Sequence, residues 1–220
     1  MLVLSACDAR SVSLSGLKSP VLSVQRLTGV EFHLSSPVDD GACDVLDEDV
    51  TATLNGVRLS PEEPGGPETS VKGALWGCSD VVYRPAELPD LPARFALDDR
   101  TAHFELDSAT LAAPLALTIP DPVAKPGATL HLSVVPADDA LDPSSPVRAY
   151  FRREGADDVP LAVQLDATSG KVTIPSDAAT GPASLVVYGV CSAPAITCEG
   201  VTCRSTPACW DAPPLPVNVP

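Results

Sequence analysis

Val50-Thr51-Ala52-Thr53-Leu54-Asn55-Gly56-Val57-Arg58-Leu59 is the stretch that decides the class of this fold. Apolar and polar residues alternate on both sides of Asn55-Gly56. A period of two places Val50, Ala52 and Leu54 on one face of an extended strand. Asn-Gly supplies the two positive-φ positions that a tight hairpin turn demands. The ten residues therefore predict two antiparallel strands joined by a two-residue turn.

The same grammar extends outward. Upstream, Val30, Phe32 and Leu34 alternate with Glu31 and His33. Downstream, Leu75 to Tyr83 and Arg94 to Leu97 read as strands, and Ala102, Phe104 and Leu106 alternate with His103 and Glu105. Leu115, Leu117 and Ile119 follow, and then Pro120-Asp121-Pro122. Proline stiffens a link and donates no ladder hydrogen bond, so this tripeptide predicts a domain boundary. Beyond it, Leu130, Leu132 and Val134 share a face, as do Leu161, Val163 and Leu165. Val147, Ala149 and Phe151 point one way, with Arg148, Tyr150 and Arg152 opposite. Thr168-Ser169-Gly170 and Gly181-Pro182 turn into further alternating runs, and Leu215, Val217 and Val219 form the last one. The expected fold is mainly β: two tandem antiparallel β-sandwich domains, residues 20–120 and 121–220, with roughly seven short strands each. This pattern resembles bacterial immunoglobulin-like or fibronectin-III-like domains. Trp76 stands two residues before Cys78. The resemblance therefore lies in strand pattern rather than in an antibody-type core, where a Trp sits between two bridged cysteines.

Composition agrees. Of 220 residues 45% are hydrophobic but only 4% aromatic, so Val, Leu and Ala must build the core. The 24 prolines and 14 glycines suit short strands and turns, not helical bundles. No apolar run reaches the roughly 20 residues of a membrane-spanning helix. Net charge is −15, with −10 in residues 1–120 and −5 in residues 121–220. Such a surface repels phosphate backbones, so nucleic acid is excluded as a partner. It also disfavours adsorption to anionic lipid.

Leu4-Ser5-Ala6-Cys7 resembles the lipobox of bacterial lipoproteins: a bulky aliphatic residue, two small residues and a cysteine. The resemblance implies that Cys7 accepts a diacylglycerol and becomes the first residue of the mature chain. Residues 1–7 are then the tail of a signal peptide whose start lies upstream of Met1. Residues 8–19, polar and aperiodic, are expected to be a flexible tether. Localisation follows: a lipid anchor in the bacterial cell envelope, on the outer-membrane, periplasmic or surface side.

Cys7 apart, six cysteines remain, an even number, as an oxidising compartment predicts. Cys43 and Cys78 make the simplest disulfide of the first domain. Cys191, Cys198, Cys203 and Cys209 crowd into a loop expected over 191–214, where three pairings are open. A four-thiolate zinc site is the rival, but the spacings lack a CxxC knuckle. A stapled loop at the end of a sandwich can carry a recognition surface, with Trp210 as an exposed anchor or as packing over the bridge.

Arg148, Tyr150 and Arg152 on one outward strand face could grip an acidic peptide or stack on a sugar, or pair with neighbouring Asp. Acidic loop clusters such as Asp44 to Asp49 lack EF-hand spacing, and solvated loops are the default reading, with calcium as the alternative. His33, His103 and His131 stand singly at outward strand positions. No catalytic motif, metal site or cofactor signature is present. The expectation is a non-catalytic, lipid-anchored envelope protein that binds or spaces a protein or glycan partner, touching the membrane only through its anchor. The alternatives are a carbohydrate-binding accessory module or envelope hydrolase, and a calcium-dependent adhesion module.

Overall fold

The computed structural model describes residues 9–26, 29–36, 43–61, 80–88, 92–111, 113 and 115–220. The chain is mainly β, and the described residues form several sheets and no α-helix. It divides into two units: unit 1 is Met1–Ala112 with Ile196–Thr206, and unit 2 is Ala113–Ala195 with Pro207–Pro220.

In unit 1 the strands run β1 (Ala9–Val12), β2 (Val21–Arg26), β3 (Val30–Ser35), β4 (Cys43–Leu46) and β5 (Thr51–Leu54). Then come β6 (Val57–Leu59), β7 (Asp80–Tyr83), β8 (Ala93–Asp98) and β9 (His103–Ser108). The Asn-Gly hairpin forms where the alternation placed it: β5 and β6 pair antiparallel, and Asn55 and Gly56 both take positive φ, 50° and 79°. Alternation becomes burial along β3, where Val30, Phe32 and Leu34 are buried while Glu31, His33 and Ser35 are not. Residues from both principal sheets of unit 1 meet in one core, and Phe32 of β3 stacks on Phe95 of β8 with ring centroids 4.2 Å apart. With so few aromatics, a stacked pair at the centre supplies contact area that Val and Ala cannot.

Residues 9–16 depart from the expected tether. Ala9–Val12 pairs in parallel with Cys43–Leu46, and Leu14 is 1% exposed within the unit 1 core. The Leu14 N–H donates to Asp99 at 2.6 Å. Short, Ser-rich sequence carries no periodic signal, yet the parallel ladder with β4, buried Leu14 and the Asp99 hydrogen bond dock it.

Unit 2 contains β10 (Ala116–Thr118), β11 (Thr129–Val135), β12 (Ala140–Leu141), β13 (Arg148–Arg152) and β14 (Val159–Leu161). It continues with β15 (Val163–Leu165), β16 (Ser169–Thr173), β17 (Gly181–Tyr188) and β18 (Val190–Ala193). The strands order as β10-β11-β16-β15 in one sheet. A short strand pair, β12-β18, begins a second. The boundary differs from the one expected at Pro120-Asp121-Pro122. Leu117 is 3% exposed in the unit 2 core, and β10 pairs with β11, so the Pro-Asp-Pro segment lies inside unit 2. Periodicity reveals a strand but not which sheet receives it.

The expected loop over 191–214 is also built differently: it is largely strand. After β18 the chain enters unit 1 as β19 (Thr197–Glu199) and β20 (Thr202–Thr206), then re-enters unit 2 as β21 (Ala208–Trp210) and β22 (Leu215–Val219). β19 adds antiparallel to β9, giving the order β19-β9-β8-β5-β6. β20 adds parallel to β2, giving β20-β2-β3-β7. One short excursion thus caps an edge of each principal sheet of unit 1, and Ile196, Cys198 and Val201 pack on that unit's core. The edge groups of β9 and β2 are thereby paired, and the short strands β19 and β20 become the outer strands. In unit 2, β21 and β22 complete the sheets β12-β18-β21 and β14-β13-β17-β22.

Candidate functional site

The cysteines of the excursion pair as Cys191–Cys209 and Cys198–Cys203. The first links register partners on β18 and β21; the second joins β19 to β20 at the tip. Between them Gly200 turns the chain at φ 75°, so close to the His103 carbonyl that a Cβ would collide with it. Cys7, Trp76 and Cys78 lie outside the described residues, and Cys43 is described only as backbone at the start of β4, so the expected Cys43–Cys78 bridge falls outside them too.

The outward face of β13 is where chemistry gathers. Arg148, Tyr150 and Arg152 alternate with buried Ala149 and Phe151, as their spacing requires. Across the ladder, Arg148 faces Tyr188 and Tyr150 faces Val186 of β17. Tyr150 and Tyr188 meet edge-on, centroids 6.1 Å apart and planes at 66°. Val186 is 2% exposed although its strand parity sets it on the side of the tyrosines rather than with core residues Leu185 and Val187. The face therefore has an apolar floor.

Beside the two tyrosines opens a hollow of about 520 Å³, lined by Pro146, Arg148, Tyr150, Asp158, Tyr188, Gly189 and Asp211. Arg152 is held aside by a two-pronged ion pair with Asp158, Nε to Oδ1 at 2.8 Å and Nη2 to Oδ2 at 2.6 Å. That bond, and then the Tyr188 phenol, raise the Arg152 pKa above its ordinary value; in turn Arg152 lowers that of Asp158. Asp211 Oδ1 accepts the Gly189 N–H at 2.9 Å. Arg148 is exposed and, among the described residues, makes no hydrogen bond or ion pair. A guanidinium with five donors and no partner, beside two phenol rings, can orient a ligand oxygen.

Of the residues singled out in the sequence, Arg148 and Tyr150 line the hollow, and Arg152 supports it through Asp158. Tyr188, Asp211 and Gly189 join them only in the folded chain. Tyr188 follows the alternation of its strand, but only the pairing of β13 with β17 reveals which face it joins. Trp210 is partly buried against the unit 2 core, its indole Nε1 enclosed without a hydrogen-bond partner. His33 bonds Glu31 at 3.1 Å, and Arg84 also pairs with that carboxylate. His103 lies between Asp98 and Glu105, and the Asp98 hydrogen bond raises its pKa above 6.5. Among the described residues no group of His, Cys, Asp and Glu is placed to hold a metal ion. No model of a known protein family matches the chain, and no curated protein matches it in sequence.

Proposed function

We propose that this chain is a non-catalytic module of the bacterial cell envelope, tethered to a membrane by acyl chains on Cys7. Its two units are read as immunoglobulin-like β-sandwiches that space, and present, a binding face for an envelope protein or glycan. The observation that carries this reading is the unpartnered Arg148 beside the Tyr150–Tyr188 pair in the unit 2 hollow. Arg and Tyr are the side chains that most often anchor a partner, because they bring contact area and directed donors together. The two cysteine pairs support an oxidising compartment. The lipobox-like Leu4–Cys7 supports the anchor, and the charge of −15 argues against nucleic acid.

The test has two arms. In the native host, Cys7→Ser is expected to abolish palmitate labelling and move the chain out of the membrane fraction; unchanged labelling and fractionation would refute the anchor. Separately, purified chain is expected to sediment with isolated envelope fragments, and Arg148→Glu to cut that retention about tenfold. Equal retention of both forms would refute the binding face.

A further inference from the structure

Resting on the binding-face reading, the geometry of the unit 2 hollow points to a particular occupant: an uncharged saccharide, held over Tyr150 and Tyr188 with its hydroxyls shared between Arg148 and Asp211. Three features select it over an acidic peptide.

The first is charge. Asp158 is neutralised by its two-pronged bond to Arg152. What remains on the lining is one cation, Arg148, and one anion, Asp211, which do not pair with each other. The two cancel, so an anion drawn to Arg148 meets a carboxylate in the same hollow. A polyhydroxylated neutral ring faces no such conflict. Each hydroxyl both donates and accepts, so neighbouring hydroxyls can satisfy a guanidinium that only donates and a carboxylate that only accepts. Asp211 Oδ1 is already turned by the Gly189 N–H, which fixes the carboxylate in place.

The second is shape. Tyr150 and Tyr188 are set edge to face, and buried Val186 stands opposite Tyr150 in the ladder. A ring face with its negative quadrupole attracts the weakly positive C–H side of a pyranose, as it attracts other positive edges. A space of about 520 Å³ falls within the range of small-ligand sites and exceeds what one small ion would fill.

The third is topology. β13 and β17 are the two central strands of the sheet β14-β13-β17-β22. Their backbone groups are committed to neighbours on both sides, so no peptide can add here as a strand. Recognition on this face must go through side chains alone, as a saccharide's does.

The experiment uses the full chain with cellotriose, maltotriose and chitotriose as neutral probes, trigalacturonate as the charged sugar, and a heptapeptide of glutamates. Binding is read by saturation-transfer NMR and titration calorimetry. At least one neutral trisaccharide is expected to bind, with Kd on the order of micromolar to millimolar. Arg148→Gln and Tyr188→Ala are each expected to weaken it about tenfold, and raised salt to leave it within about twofold. Tyr188→Phe, which keeps the ring, is expected to bind within about threefold of the parent chain. Failure of all three neutral probes, or equal binding by Arg148→Gln, would overturn the saccharide. Salt-sensitive binding of the glutamate peptide, lost in Arg148→Gln, would also overturn it while leaving the binding face standing. Loss of envelope retention as well would bring down both.

Discussion

Cys191 and Cys209 stand directly opposite each other on β18 and β21 and are bonded, so the chain between them, whose residues 196–206 belong to unit 1, is closed by a cross-link at its base. The second bond, Cys198–Cys203, closes the tip of the same excursion inside unit 1. The edge strands β19 and β20 are therefore delivered by a segment constrained at both ends, and that lowers the entropy lost when they dock.

The first prediction concerns these bonds. Replacing Cys191 and Cys209 together by Ser should cost about 3 kcal/mol, and replacing Cys198 and Cys203 about 2 kcal/mol, since the closed loops differ in length. Denaturant titration without reductant measures both. The second pair should also speed hydrogen exchange at β2 and β9, whose edges the hairpin covers. Unaltered exchange there would mean the staple does not hold the edge strands.

Thiol chemistry separates sulfur bridges from a metal site. Denatured, unreduced chain should show no free thiol at Cys191, Cys198, Cys203 or Cys209, and a chelator should leave the melting curve in place. Four reactive thiols and a chelator-sensitive melt would favour zinc.

Gly200 offers a sharper probe of the docked hairpin. Its φ of 75° and the His103 carbonyl beside it leave no room for a methyl group. Gly200→Ala should destabilise unit 1 by about 1–3 kcal/mol. Gly155, also at positive φ but with open space around it, is the control: there the cost should stay near 1 kcal/mol, about the backbone preference alone. Equal costs at the two sites would refute a close approach at Gly200.

The Phe32–Phe95 stack should dominate the unit 1 core. Both rings are fully buried. Phe95→Ala should cost about 3–5 kcal/mol in a denaturant titration, through lost transfer energy and the cavity left behind.

Acid sensitivity should involve Asp166. Hydrogen bonds from the Thr168 N–H, the Ser169 hydroxyl and the Ser169 N–H hold its pKa at about 2, below the ordinary 3.8. A depressed folded pKa means the carboxylate stabilises the fold above the unfolded value, and that contribution fades as pH falls through about 2. Asp166→Asn should therefore flatten, without abolishing, the fall in Tm between roughly pH 4 and pH 2. Asp142 and Asp158, also shifted down, account for part of the remaining slope. An identical slope in the variant would refute the assignment.

The alternation of Val30 to Leu34, the Asn55-Gly56 turn and the opposed faces of Arg148 to Arg152 are all legible in the sequence. Each depends on neighbours within a few residues, where a period of two leaves little choice. Tyr188 and Asp211 were not legible as partners of Arg148. They stand 40 and 63 positions further along, and nothing local announces a strand's neighbour. Leu14 was missed for the opposite reason: a lone leucine in a serine-rich stretch has no period to betray it.

What the amino-acid sequence determined by itself is the class of the fold: short amphipathic strands, the turns between them, and the faces their side chains take. What only the tertiary structure decided is membership. It gave Leu117 to unit 2, sent residues 196–206 to cap two sheets of unit 1, chose one cysteine pairing from three, and assembled the hollow from β13, β17 and the segments beside them. The physical reason is that strand formation is a local preference. Strand pairing instead satisfies backbone donors and buries apolar faces across long stretches of chain, and that balance is struck only when the whole chain is folded.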